Sequence, residues 1–185
     1  SASEGAAPEP GRRAARREDM RRVAGVVALL LAVPTTAAPP SHDRAFWTGL
    51  AAKEFAVPEG ETAGGLALEA ADLLSSPDPA LRDGIAFEAL ARWIYRDGLV
   101  AAPDLELLRR KLQDGLKAGL GEAGRDSAYG RTFSALGLSI LAAADLKAPW
   151  MTPAAFDDLL AASTAYLGAE KDLRGFVPGG GWVHA

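Results

Sequence analysis

His184 is one of only two histidines in a chain that has no cysteine, and it follows Gly181-Trp182-Val183 directly. An imidazole at such a site can bind a metal or move a proton. Holding a metal on a helix needs a second histidine four residues away, so that both imidazoles share a face. The competing reading is a packed or helix-capping histidine. The absence of cysteine excludes disulfides, thiol nucleophiles and zinc–thiolate sites. His42, the other histidine, is expected to be solvated.

Arg131 and Ser134 are three residues apart, which puts them on one face of a helix. The planar guanidinium can clamp an anionic ligand while the hydroxyl donates a hydrogen bond. The structural alternative is a buried arginine–carboxylate tie, with Asp126, Asp83 or Glu122 as partner. Ser134 lacks the Gly-x-Ser-x-Gly surroundings of a nucleophile elbow. Arg174, Phe176 and Trp182 can floor a ligand pocket with an arginine stacked on an aromatic ring, or simply anchor the end of the chain. The candidate ligand-binding set is therefore Arg131, Ser134, Arg174, Trp182 and His184, with His184 as the candidate metal ligand. Gly121, Gly124 and Gly130 form no phosphate loop, since no strand precedes them and no Gly-Lys-Ser/Thr follows. The reaction and the cofactor, if any, are not readable from these residues.

The elements that must position this set read as helices. Candidate helices cover 43–55 (Phe46, Trp47, Leu50, Phe55) and 62–75, the latter weakened by Gly64 and Gly65. A third starts at Asp78-Pro79, an N-cap followed by proline in the first turn. It carries Leu81, Ile85, Phe87, Leu90, Trp93 and Ile94 inward and stops at Gly98. Asp78 with Arg82, and Glu88 with Arg92, are spaced to pair on its surface, and Asp83 suits its positive end. The fourth, 103–117, has a Leu105, Leu108, Leu112, Leu116 stripe. The fifth, 126–144, turns Phe133, Leu136, Ile140 and Leu141 inward. In the sixth, Thr152 caps, Pro153 opens, and Phe156, Leu159, Leu160 and Tyr166 face the core. No segment alternates with period two. The expected fold is all-α: antiparallel helix hairpins in a HEAT-like superhelical array, ending in a glycine-rich loop.

Composition bounds the rest. Apolar residues make up 49% and charged residues 24% of the 185, enough for one self-sufficient domain over 43–185. Before residue 38 lie six arginines and four acids, leaving 14 basic against 20 acidic residues beyond it. That acidic body offers no footprint for nucleic acid. Met20-Arg21-Arg22, an apolar run from Val23 to Val33, and Pro34-Thr35-Thr36-Ala37-Ala38 read as a signal peptide over 20–37. The run is shorter than the roughly 20 residues of a membrane span. Twin arginines at 21–22 are not followed by the bulky apolar pair that twin-arginine export favours. The mature protein is thus expected in the periplasm or secreted, with no stable membrane span. Residues 1–19, rich in Ala, Arg, Glu, Pro and Gly, are expected to be a disordered leader.

Leu81-Arg82-Asp83, Gly121-Glu122, Arg131-Thr132-Phe133-Ser134-Ala135-Leu136, Leu173-Arg174-Gly175-Phe176 and Gly181-Trp182-Val183-His184-Ala185 together resemble the bacterial family called domain of unknown function 2785, over about residues 45–185. The resemblance implies a helical fold. It also implies that the Gly-Trp-x-His segment runs on into a helix bearing a second histidine and an aspartate. On that expectation the domain is incomplete at Ala185, and any site would be completed by residues beyond it. The family has no established activity. Two functions stay open: an exported binding or scaffold module for a peptide, protein or envelope component, or an enzyme or metal-binding protein.

Overall fold

The computed structural model describes residues 42–184; the expected leader over 1–19 and signal peptide over 20–37 lie outside the described residues. Among the described residues six helices follow one another: α1 (Arg44–Ala52), α2 (Ala63–Leu73), α3 (79–96), α4 (Ala102–Gly115), α5 (Ser127–Lys147) and α6 (Pro153–Ala169). The all-α expectation holds, with one addition. The glycine-rich end is a hairpin, β1 (Phe176–Val177) and β2 (Gly181–Trp182), antiparallel with Phe176 opposite Trp182.

Local chemistry sets the helix starts. The side chains of Asp43, Thr62, Asp78 and Thr152 each accept a backbone N–H of the first turn, satisfying donors that have no partner within the helix. The first helix ends three residues earlier than the apolar pattern suggests. Glu54 and Phe55 adopt left-handed backbone angles (φ 54° and 60°), and this turn brings the Phe55 carbonyl to Trp93 Nε1 at 2.8 Å. The buried indole donor is thereby satisfied.

α3 is a continuous rod in which two stretches, Arg82–Phe87 and Ala91–Arg96, are wound as wide π-turns. A π-turn takes more residues per turn and re-phases the apolar stripe. Ile85, Ala86, Ala89, Leu90, Trp93 and Ile94 are buried, whereas Leu81 and Phe87 are only partly so. Arg82, which opens the first π-turn, also points inward, at 0% exposure. The expected surface pairs therefore do not form. Asp78 binds Arg44, Glu88 binds Arg96, and Arg92 binds Asp97.

The main core joins Trp47 and Leu50 of α1 and Leu66 and Ala70 of α2 with the α3 stripe. Leu105, Leu108 and Leu112 of α4, and Phe133, Leu138 and Leu141 of α5, complete it. α6 contributes Leu159 and Tyr166, but Phe156 and Leu160 are exposed, contrary to the sequence reading. Nothing among the described residues packs over that outer side of α6. His42 is not solvated as expected: it is half-buried and stacked on Phe46 (3.6 Å between ring centres). Its Nδ1 lies 2.8 Å from Glu69 and its Nε2 3.4 Å from Glu61. The Glu69 hydrogen bond chiefly raises its pKa.

Candidate functional site

Arg131 sits one turn into α5 and is fully buried. Its Nε and Nη2 donate to the two carboxylate oxygens of Glu170 at 2.6 and 3.0 Å. Nη1 donates to the carbonyls of Ala118 and Gly119 and to Ser127 Oγ, and Nη2 reaches the Glu122 carbonyl. Every guanidinium nitrogen is thus occupied. The partner is Glu170, just past α6, and not Asp126, Asp83 or the Glu122 carboxylate. Burial alone would raise the Glu170 pKa, but Arg131 and the N–H groups of Asp172 and Lys171 outweigh it and hold the carboxyl below its ordinary value. The Glu170 hydrogen bond in turn raises Arg131 further.

Arg174 closes a second tie onto the same loop. It grips the buried Asp172 through Nε and Nη2 and donates to the Arg125 carbonyl at 2.7 Å. Asp172 also accepts the Gly124 N–H at 2.9 Å. The Arg174 hydrogen bond is the main reason the Asp172 pKa is lowered to about 2. Arg131 and Arg174 are therefore brought to one place, the loop between α4 and α5. Both spend their charge on carboxylates of the segment after α6.

Trp182 and Ser134 are placed elsewhere. Trp182 is 53% exposed, meets Phe176 edge-on at 5.6 Å, and makes no hydrogen bond with Arg131 or Arg174 among the described residues. Ser134 is buried against α4, where a Cβ added to Gly115 would come within 2.2 Å of its hydroxyl. It lines a cleft of about 190 Å³ with Ser75, Asp72 and Lys111, and no imidazole lines that cleft.

His184 lies beside Arg131's neighbour. Its Nδ1 is 3.4 Å from Thr132 Oγ1, which is 3.5 Å from the hydroxyl of buried Tyr166. Burial raises the Tyr166 pKa, and Glu170 stands close enough to add to the shift. Two polar links thus lie near each other, Arg131–Glu170 and Tyr166–Thr132–His184. His184 Nε2 is enclosed and has no hydrogen-bond partner among the described residues. Among the described residues no group of three or more His, Cys, Asp or Glu side chains is arranged to hold a metal ion.

The hairpin that carries Trp182 and His184 is fixed by Arg82. Its Nη2 donates to the carbonyls of Gly180 (2.7 Å) and Trp182 (3.4 Å), and Nη1 to that of Ser76. The guanidinium lies over the rings of Tyr129 (4.0 Å) and Phe133 (4.9 Å), a cation–π arrangement. Nε is 2.7 Å from Asp83 Oδ1 but misaligned for a hydrogen bond. The glycines are required here. A Cβ on Gly180 would sit 2.1 Å from the Tyr129 hydroxyl, and Gly181 has φ +78°. Val183 is wholly buried with Ala128 and Tyr129.

Sequence reasoning missed Glu170, Asp172, Thr132 and the inward Arg82, and placed Tyr166 in the core without its polar contact. The run Glu170-Lys171-Asp172-Leu173-Arg174 was the available signal: alternating charges just where a helix ends.

No curated protein and no solved structure matches this chain. The segment holding the α4–α5 loop, α5, α6 and the hairpin, residues 116–185, matches the family model described as "Protein of unknown function (DUF2785)", a narrower span than the resemblance over 45–185, and so this part of the chain is similar to that family.

Proposed function

We propose that this protein is an exported, HEAT-like array of helix hairpins that binds an amphipathic helical segment of a peptide, protein or envelope component. The observation that carries the reading is on α6. Phe156, Leu160 and Leu167 are exposed at spacings that put them along one side of the helix. Leu167 also lines a furrow of about 290 Å³ between α5 and α6, walled by Ala135, Leu138, Ala142 and Leu159. Such a groove suits the apolar side of a partner helix. The candidate arginines, by contrast, are paired, Arg131 with Glu170 and Arg174 with Asp172. Export rests on the Met20–Ala38 pattern, and among the described residues no helix is long and apolar enough to cross a membrane.

The test is fluorescence polarisation with a panel of amphipathic helical peptides against the wild type, Leu160→Glu and Leu167→Glu. Wild-type binding that both variants lose, at unchanged melting temperature, supports the reading. Binding by no peptide, or equal binding by the variants, overturns it. Export is checked by expressing the chain from Met20 in a bacterium and sequencing the mature N-terminus; a product retaining Met20 refutes it.

The alternative, a metal-binding or enzymatic site, is favoured by one observation, the enclosed Nε2 of His184, which has no partner among the described residues. Zinc titrated calorimetrically into the wild type and His184→Ala separates the two. Saturable heat in the wild type alone supports a metal site.

A further inference from the structure

We propose that a separate cleft, formed where α3 and α5 end, binds a small amphipathic carboxylate: a medium-length apolar chain ending in one carboxylate group. The cavity measures about 490 Å³, within the roughly 300–1,000 Å³ typical of small-molecule sites. Its floor is apolar, made by Ile94, Val100, Leu105 and Ala144, all buried. Tyr95 and Trp150 add aromatic walls. The site lies on different elements from the α5–α6 furrow, so the two proposals stand or fall separately.

Charge complementarity commits the occupant. Three charged side chains line the cleft: Arg96, Asp97 and Lys147. Arg96 is engaged by Glu88 at 3.2 Å and Asp97 by Arg92 at 2.7 Å. Lys147 alone has no carboxylate within 4.0 Å among the described residues. Its ammonium donates to the Tyr95 carbonyl at 3.0 Å and lies 5.2 Å from the centre of the Tyr95 ring. One uncompensated cation beside an apolar bowl matches a monoanion with an apolar tail. A neutral ligand leaves the cation unmatched, and an amine is repelled by it. The cleft is also preformed. The Lys147–Tyr95 bond ties α5 to α3, and Asp145 Oδ1 accepts the N–H groups of Trp150 and Met151, both at 2.7 Å, which fixes the turn carrying the indole.

The test uses decanoate below its micelle concentration, with decanol and decylamine as matched controls, read by tryptophan fluorescence. Decanoate is expected to give a saturable change that Trp150→Phe removes. Decanol should bind ~5-fold more weakly, the scale of one exposed ion pair. Lys147→Met should bring decanoate to the level of decanol. Ala148→Phe, at the exposed mouth, should block both ligands without lowering the melting temperature. The proposal is overturned if no saturable change occurs, if decylamine binds as well as decanoate, or if Lys147→Met leaves decanoate affinity unaltered.

Discussion

Two buried guanidinium groups serve the same end of the molecule by different means. Arg131 faces a carboxylate that matches it bidentately, and every one of its nitrogens is bonded. Arg82 is compensated by backbone carbonyls and two aromatic faces, and its nearest carboxylate, Asp83, is misaligned. The difference teaches that these two buried cations each tie distant segments together, one by a matched carboxylate and one by carbonyls and rings. Arg131 ties the end of α6 to the α4–α5 loop; Arg82 ties the terminal hairpin to α3. In this region the candidate arginines hold segments of the chain together.

The largest expected effect follows from breaking the Arg131 pair. Arg131→Met leaves Glu170 buried without its cation, and removing one member of a buried pair costs about 3–5 kcal/mol. Urea unfolding measures it. A loss below about 1 kcal/mol would mean the pair is solvated and the comparison fails.

Arg82→Met should cost less, about 1–3 kcal/mol, the penalty for stranding buried hydrogen-bonding groups. It should also free the hairpin, changing the fluorescence of Trp182 relative to a Trp182→Phe control. Arg82→Lys should not rescue it, since an ammonium cannot span the Ser76, Gly180 and Trp182 carbonyls with one planar fork.

Acid should next separate the two sites. Glu170 and Asp172 have folded pKa values below their unfolded ones, Asp172 at about 2. Their contribution is fully present above the ordinary carboxylate range, about 4, and is lost as pH falls through the folded values. Asp172→Asn should flatten the stability profile between about pH 4 and pH 2.

Asp83 gives the smallest effect and the opposite sign. Burial raises its folded pKa despite Arg82, so its ionised form weakens the fold at neutral pH, and acidification through the folded value relieves this. Asp83→Asn should leave neutral stability unchanged or slightly higher. A clear loss in thermal melting would show that Asp83 is a true partner of Arg82.

Helix starts were legible because capping is local: Asp78-Pro79 and Thr152-Pro153 announce themselves within a turn. The Leu105, Leu108, Leu112, Leu116 stripe was legible for the same reason, as one helix face carries the whole signal. Arg82 was misread because the carbonyls that bind it, those of Gly180 and Trp182, lie 98 and 100 residues along the chain. Glu170 was missed because it meets Arg131 across 39 residues, and no spacing rule reaches that far.

The sequence by itself determined the helical class, the main core residues and the crowded chemistry of 116–185, because periodicity, caps and glycine runs act over a few residues. Only the tertiary structure decided which charges are buried, which carboxylate each arginine takes, and that α6 leaves Phe156 and Leu160 outside. Those outcomes depend on desolvation and packing between segments distant in the chain, and a charge shows the same letter whether it lies in water or under a tyrosine ring.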